Sequence, residues 1–171
     1  GTVAMMKAKL NAVPLVLQLP VGMGEAFRGI VDLIRMEEIR WDEASLGTVF
    51  TTGEIPAEMA EQAAEYREKL IETVAEQDDE LMEAFVAEQP IDAAQLAAAI
   101  RRATIRLNLV PVLCGTALRN KGIQPLLDAV ALYLPSPADI PPAAGVHPET
   151  GAAVECPPRD PEPRRGDAER Q

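Results

Sequence analysis

Short apolar runs, separated by glycines and polar residues, dominate the first third of the chain. Each run is five to eight residues long, and several contain the β-branched and aromatic side chains that favour strands. Because the connections between them are short, the runs predict an antiparallel meander. The predicted strands cover residues 13–19, 27–34, 37–41 and 48–52.

A helical spacing of apolar residues replaces this pattern after Pro56. Proline is favoured at the first position of a helix, and apolar residues then recur every three or four positions up to about residue 75. These residues are Met59, Ala63, Tyr66, Leu70 and Val74. A shorter helix is predicted over residues 79–88, with Leu81 and Phe85 facing inward.

A third helix is indicated by its start signal. Asp92 is the predicted N-cap, and Gln95, three residues later, is its partner in a capping box. The inward positions predicted for this helix are Leu96, Ile100, Ala103 and Leu107.

The next apolar run, residues 109–114, is typical of a parallel strand buried on both faces. A polar loop at 115–122 and a helix at 123–134 are predicted to follow it. Residues 135–171 then hold nine of the 15 prolines and show no periodicity. This composition predicts a linker or disordered tail.

Charge is concentrated in one segment. Residues 54–92 carry 13 acidic side chains against two basic ones, Arg67 and Lys69, which accounts for the whole formal charge of −11. Nucleic-acid surfaces need lysines and arginines to contact phosphates, so this composition argues against one here. It favours a basic protein partner instead.

The acidic residues of the first helix fall on one stripe, opposite its apolar stripe. They are Glu58, Glu61, Glu65, Glu68, Glu72 and Glu76. Two interpretations stay open from the residues alone. The stripe is either a solvated face that keeps the protein soluble or a docking face for a basic partner.

The loop after the 109–114 run is a second candidate site. Loops at the carboxyl edge of an α/β sheet commonly bind ligands, and the amides of Thr116 and Ala117 suit a carbonyl acceptor such as guanine O6. Leu118 would then cover the base. On its own this signal is weak, because strand–loop–helix units are widespread.

The sequence lacks several motifs that nucleotide hydrolysis, metal binding or other catalysis would require. The sequence has no G-x-x-x-x-G-K-[ST] phosphate loop, and Asn120-Lys121 lacks the following Asp of a guanine clamp. We find no metal-ligand spacing and predict no catalytic residue. Two cysteines do not make a disulfide framework, and no apolar run reaches the roughly 20 residues that span a membrane. We therefore expect a cytoplasmic protein.

Several strings, taken together and in order, resemble bacterial elongation factor G, a translational GTPase family. NAVPLVLQLPVG and FRGIVDLIRMEEIRW resemble the first strands of that family's insertion into its GTPase domain, the G′ subdomain. EIPAEMAEQAAEYREKLIETVAEQDDELME resembles its acidic helices. VPVLCGTALRNKGIQPLLDAVALYLPSPADIPP resembles the return into the GTPase domain and the exit from it.

The resemblance implies roles for particular residues. Thr116, Ala117 and Leu118 stand where the family's fifth guanine motif contacts the base. Glu58, Glu61, Glu65, Glu68 and Glu72 match the acidic helix that contacts the C-terminal domain of the ribosomal stalk protein. The complete family uses GTP or GDP with Mg²⁺, but the family's phosphate loop is absent from this sequence. We therefore expect no nucleotide hydrolysis, and no cofactor, for this chain alone.

These observations together predict an α+β fold. Residues 1–11 are the predicted end of a GTPase-domain helix. Residues 12–108 form the insertion, with a small mixed or antiparallel sheet and three helices, and 109–134 form a strand–loop–helix unit of a GTPase α/β domain. Residues 135–171 are the tail. The alternatives are a stand-alone acidic interaction module that needs no nucleotide, and a non-functional remnant.

Overall fold

The computed structural model describes residues 5–6, 13–42, 45, 47–139, 143–146 and 150–156. The chain divides into two compact units, Gly1–Leu134 and Pro135–Gln171. Apart from two helical residues, Met5 and Met6, the predicted helix end at 1–11 lies outside the described residues.

Strands and helices of the first unit follow the predicted order, and the α+β class is confirmed. The strands are β1 (Pro14–Val16), β2 (Gln18–Val21), β3 (Gly29–Asp32), β4 (Glu37–Trp41), β5 (Phe50–Gly53) and β6 (Val110–Val112). The helices are α1 (Ala57–Ala75), α2 (Asp79–Val86), α3 (Ala93–Ile105) and α4 (Ile123–Tyr133). A short 3-10 helix, Ala117–Arg119, precedes α4.

The strands belong to two separate sheets. β2, β3, β4 and β5 form the predicted antiparallel meander, whereas β1 pairs in parallel with β6, with Leu15 opposite Pro111. The single strand predicted over 13–19 is therefore two strands. The chain changes sheets at Leu17, whose amide donates to the carbonyl of Val112 and whose carbonyl accepts from Leu33.

One hydrophobic core joins the β1–β2 segment to the helices. Leu15, Leu17 and Leu19 pack with apolar residues of α1 and α3, among them Leu70 and Ile100. Most of the predicted inward positions of α1 and α3 are buried here. The apolar periodicity of these helices is therefore explained by packing.

Three predictions of burial are wrong. Leu107 is 88% exposed because α3 ends at Ile105 and the chain turns at Leu107 with φ = 62°. Phe85 is 39% exposed at the last turn of α2. β6 is not buried on both faces, since Val110 is exposed and β1 is its only partner strand in the described part of the chain.

The second unit contains regular structure where only a Pro-rich tail is predicted. β7 (Ala143–Val146) pairs with β8 (Ala153–Cys156) as an antiparallel hairpin, with Gly145 opposite Val154. A 3-10 turn at Pro137–Asp139 precedes it, and Asp139 accepts a hydrogen bond from the amide of Ser136. Residues 157–171, also assigned to the tail, lie outside the described residues.

Candidate functional site

The five glutamates predicted to contact a partner are all exposed on α1. We call the surface formed by Glu58, Glu61, Glu65, Glu68 and Glu72 the acidic face. Two of its members have basic neighbours: Glu58 is 3.3 Å from the guanidinium of Arg28, and Glu65 is 2.6 Å from the ammonium of Lys69. Both pairs are solvent-exposed, so water and salt screen them and they add little to stability. Within the described residues, Glu61, Glu68 and Glu72 form no ion pair.

Lys69 responds to this acidic environment. Its hydrogen bond with Glu65 raises the pKa of the ammonium above its ordinary value, and the nearby charge of Glu68 acts in the same direction. Lys69 therefore stays protonated throughout the neutral pH range. Lys69 and Arg28 together cannot neutralise five carboxylates, so the surface remains negative.

Arg67, the other basic residue of the acidic segment, forms hydrogen bonds with the backbone of neighbouring segments. Its Nη1 donates to the carbonyl oxygens of Leu33 and Ile34, each at 2.6 Å, and its Nη2 reaches the carbonyl of Ile91 at 3.4 Å. This one side chain joins α1 to the β3–β4 turn and to the segment before α3. The charge of Arg67 is directed inward, away from the acidic face.

Asp78 fixes α1, α2 and α3 relative to one another. It follows α1 and caps α2, where its Oδ1 accepts from the amide of Leu81 at 3.1 Å. Arg102 of α3 donates to both oxygens of the same carboxylate at 2.7 Å. The hydrogen bonds from Arg102 lower the pKa of Asp78, against the opposing effect of burial. The helix that carries the acidic face is therefore held in a fixed position relative to α2 and α3.

The start of α3 confirms the predicted capping box. Asp92 Oδ1 accepts from the amide of Gln95 at 2.8 Å, and the Gln95 side chain accepts from the amide of Asp92 at 3.1 Å. Two helix amides that would otherwise lack partners are thus satisfied.

The predicted nucleotide loop is a tight hairpin between β6 and α4. The Thr116 amide donates to the carbonyl of Lys121 at 2.9 Å, and the Lys121 amide returns a hydrogen bond to Thr116. A Cβ atom at Gly115 would lie 2.8 Å from the Lys121 carbonyl oxygen, so this close approach requires glycine.

This hairpin distinguishes the three predicted loop residues. Because the Thr116 amide already has an acceptor, it is the poorer candidate donor to a base. The Ala117 amide opens the 3-10 turn, where the first amides have no acceptor within the turn. Leu118 is 99% exposed, which suits an apolar cover for a planar ring.

Lys121 has a position that its sequence context does not predict. A lysine in a polar loop is ordinarily exposed, yet Lys121 is only 4% exposed and its Nζ lies 3.4 Å from the carbonyl of Phe27. The side chain thereby ties the loop to the segment before β3. The sequence carries no signal for this contact.

Among the residues that the structure describes, no group of three or more potential ligands is arranged to hold a metal ion. None of the helices described is long and apolar enough to cross a membrane. Cys114 is half-buried, and burial raises its pKa to about 11, which makes it a poor nucleophile at neutral pH.

Comparisons with known proteins agree with the resemblance of the strings. The chain is 48% identical over 155 residues to elongation factor G of Aquifex pyrophilus, a match that covers 91% of the chain and 22% of that protein. It is 54% identical over 144 residues to elongation factor G of Anaplasma phagocytophilum strain HZ, covering 84% of the chain and 21% of that protein.

A solved structure has the same fold. The crystal structure of a Thermus thermophilus protein aligns with a TM-score of 0.68 and 25% identity, over 89% of this chain and 24% of that one. No protein-family model matches the chain. The chain is therefore a homologue of one segment of elongation factor G, and it spans about a fifth of the length of those relatives.

Proposed function

We propose that this chain is the segment of a translation elongation factor that docks the ribosomal stalk protein and completes the guanine pocket. The whole factor, in this proposal, is the cytoplasmic GTPase that promotes ribosomal translocation. The observation that carries the docking role is the acidic face of α1. Its glutamates are exposed, and both bases of the surrounding segment are paired or directed inward.

The dimensions of the acidic face suit a helical partner. At a rise of 1.5 Å per residue, the stripe from Glu58 to Glu72 extends for about 20 Å. That length matches three to four turns of a basic helix such as a stalk-protein C-terminal domain would present. Like charges at this density repel one another by roughly 0.2–0.5 kcal/mol per neighbouring pair. A basic partner relieves that repulsion, which gives the docking a thermodynamic driving force.

The nucleotide role is confined to recognition of the base. Ala117 is the proposed donor to guanine O6 and Leu118 the proposed cover, while Thr116 shapes the hairpin. Hydrolysis requires a phosphate cradle, a metal and a positioned water. In the complete factor, GTP or GDP with Mg²⁺ supplies the phosphates and the metal. This chain alone should therefore bind GTP no better than background.

The exposed surface of α4 favours the interpretation that the chain is a segment of a larger factor over the alternative of a stand-alone acidic module. Leu126, Leu127 and Val130 of this helix are exposed together, and in the described part of the chain β1 and β6 make a parallel sheet of two strands. Parallel sheets normally have both faces covered. Further chain packed on this side would cover the apolar residues, whereas an independent acidic module has no need of them.

Docking is tested by titrating isotope-labelled chain with the C-terminal domain of a bacterial stalk protein and following amide shifts by NMR. We expect shifts along residues 58–72 that weaken as salt rises. The triple variant Glu61→Lys, Glu65→Lys and Glu72→Lys should abolish them. The matched control is Glu25→Lys, Asp128→Lys and Glu155→Lys, which changes the net charge equally at exposed positions elsewhere.

Equal loss of binding in both triple variants would mean that net charge, not the acidic face, attracts the partner. Dispersed spectra without any shift would remove the docking role and favour an inert remnant. Tight Mg²⁺-dependent GTP binding by the chain alone would contradict the confined nucleotide role.

A further inference from the structure

A groove of about 630 Å³ lies between α1 and the C-terminal end of α2. Its apolar lining consists of Met36, Ala64, Ile71, Phe85, Val86 and Ile91. Glu68 and Glu88 also line it. An apolar cleft of this volume with a few charged residues has the character of a binding site for side chains of a ligand or partner.

The end of α2 leaves apolar side chains uncovered beside this groove. Val86 is 73% exposed and Phe85 is 39% exposed. The chain leaves the helix in a Schellman turn, where the amide of Gln89 donates to the carbonyl of Ala84 and Glu88 has φ = 51°. Single exposed apolar residues need no explanation, but these two lie side by side in the lining of one groove, together with other apolar residues.

The groove and the acidic face adjoin along α1. Ala64 and Ile71 share one flank of the helix, seven residues apart, and Glu68 lies next to that flank while belonging to the acidic face. Arg67, which also lines the groove, donates its hydrogen bonds to backbone carbonyls. The groove is therefore bordered by carboxylates. The guanidinium of the arginine in its lining is already hydrogen-bonded to the backbone.

We propose that this groove receives the apolar side chains of a basic, amphipathic helix whose lysines or arginines lie over the acidic face. The inference rests on the proposed docking function and deepens it. Charge complementarity selects a basic partner and repels an acidic one. The adjoining apolar groove selects, among basic partners, one that carries apolar residues beside its charges. Binding would then have a salt-independent component.

The test compares Val86→Ser with Val146→Ser in the full chain. Both valines are exposed, at 73% and 70%, but Val146 belongs to β7 of the second unit and does not line the groove. Two probes are titrated by calorimetry: the C-terminal domain of a bacterial stalk protein, and a synthetic helix with lysines along one face and leucines beside them. Circular dichroism verifies that each variant is folded.

We expect Val86→Ser to weaken binding about five- to tenfold, as loss of most of a valine's burial would. The factor should be the same at about 0.05 M and about 0.5 M salt, because apolar contacts are not screened. The loss of affinity caused by the triple reversal at Glu61, Glu65 and Glu72 should be smaller at the higher of these two salt concentrations, because salt screens the charges. Val146→Ser should bind like the unaltered chain.

The outcomes separate this inference from the proposed function. Equal affinities for Val86→Ser and Val146→Ser, with the triple reversal abolishing binding, would overturn the groove and leave the acidic face intact. Groove-dependent binding of the synthetic helix without binding of the stalk domain would support the groove and overturn the proposed partner. Failure of both probes to bind would overturn both.

Discussion

Asp78 offers a quantitative test of how the helices are held together. Its carboxylate caps α2 through Leu81 and accepts two hydrogen bonds from Arg102 of α3, each 2.7 Å long. Substitution of Asp78 by alanine removes the cap, worth about 1 kcal/mol. It also removes two charge-assisted hydrogen bonds, worth about 1.5–3 kcal/mol together at a site as enclosed as this one.

The upper end of that range does not apply. The Arg102 side chain is 37% exposed and also lies 2.9 Å from Glu80, so its charge keeps water and a second partner when Asp78 is lost. We expect Asp78→Ala to lower the free energy of unfolding by about 2.5–3 kcal/mol. Asp78→Asn retains an oxygen for the cap but loses the charge, and should lower it by about half as much.

The pKa of Asp78 fixes the sign of the pH dependence. Because the folded-state pKa is lowered, the unfolded chain binds more protons than the folded chain in the window between the two pKa values. The stabilisation is therefore complete above the ordinary carboxyl value of about 4 and is lost as pH falls through the lowered value. Asp78→Asn should remove this part of the acid sensitivity.

Urea unfolding followed by circular dichroism, at neutral pH and at about pH 3, measures both effects. Asp79→Ala is the matched control, since Asp79 is the exposed neighbour in the first turn of α2. It should change stability by only a few tenths of a kcal/mol. If Asp78→Ala and Asp79→Ala are equally stable at neutral pH, then the bonds to Arg102 do not brace the helices and our reasoning is refuted.

Two further predictions concern the backbone and the thiol. Leu107→Gly should raise the free energy of unfolding by about 0.5–1 kcal/mol, because glycine adopts the positive φ of 62° at this position without strain. Little packing is lost, since Leu107 is 88% exposed. A lower urea midpoint for the variant would show that the leucine side chain makes stabilising contacts. Cys114 should react with iodoacetamide about two orders of magnitude more slowly than an ordinary thiol at pH 8, since burial raises its pKa to about 11. Peptide mapping by mass spectrometry measures the rate at this residue, and a rate like that of a model thiol would contradict the burial.

Local signals made much of this fold predictable. The start of α1 after Pro56, the capping box of Asp92 and Gln95, and the acidic face all depend on residues within a few positions of one another. Helix spacing and caps act over one or two turns, so the sequence encodes them directly. The same locality explains why the five glutamates could be assigned to one stripe of α1, whatever their partner.

The tertiary structure alone decided the features that join distant parts of the chain. Leu17 divides one apolar run between two sheets, because its backbone bonds to both Val112 and Leu33. Arg67 turns inward because three backbone carbonyls meet there, and Phe85 stays exposed because the chain turns away after α2. Each of these results depends on hydrogen bonds or packing between segments far apart in sequence. Periodicity cannot encode such partners, since it records which face is apolar and not what covers it.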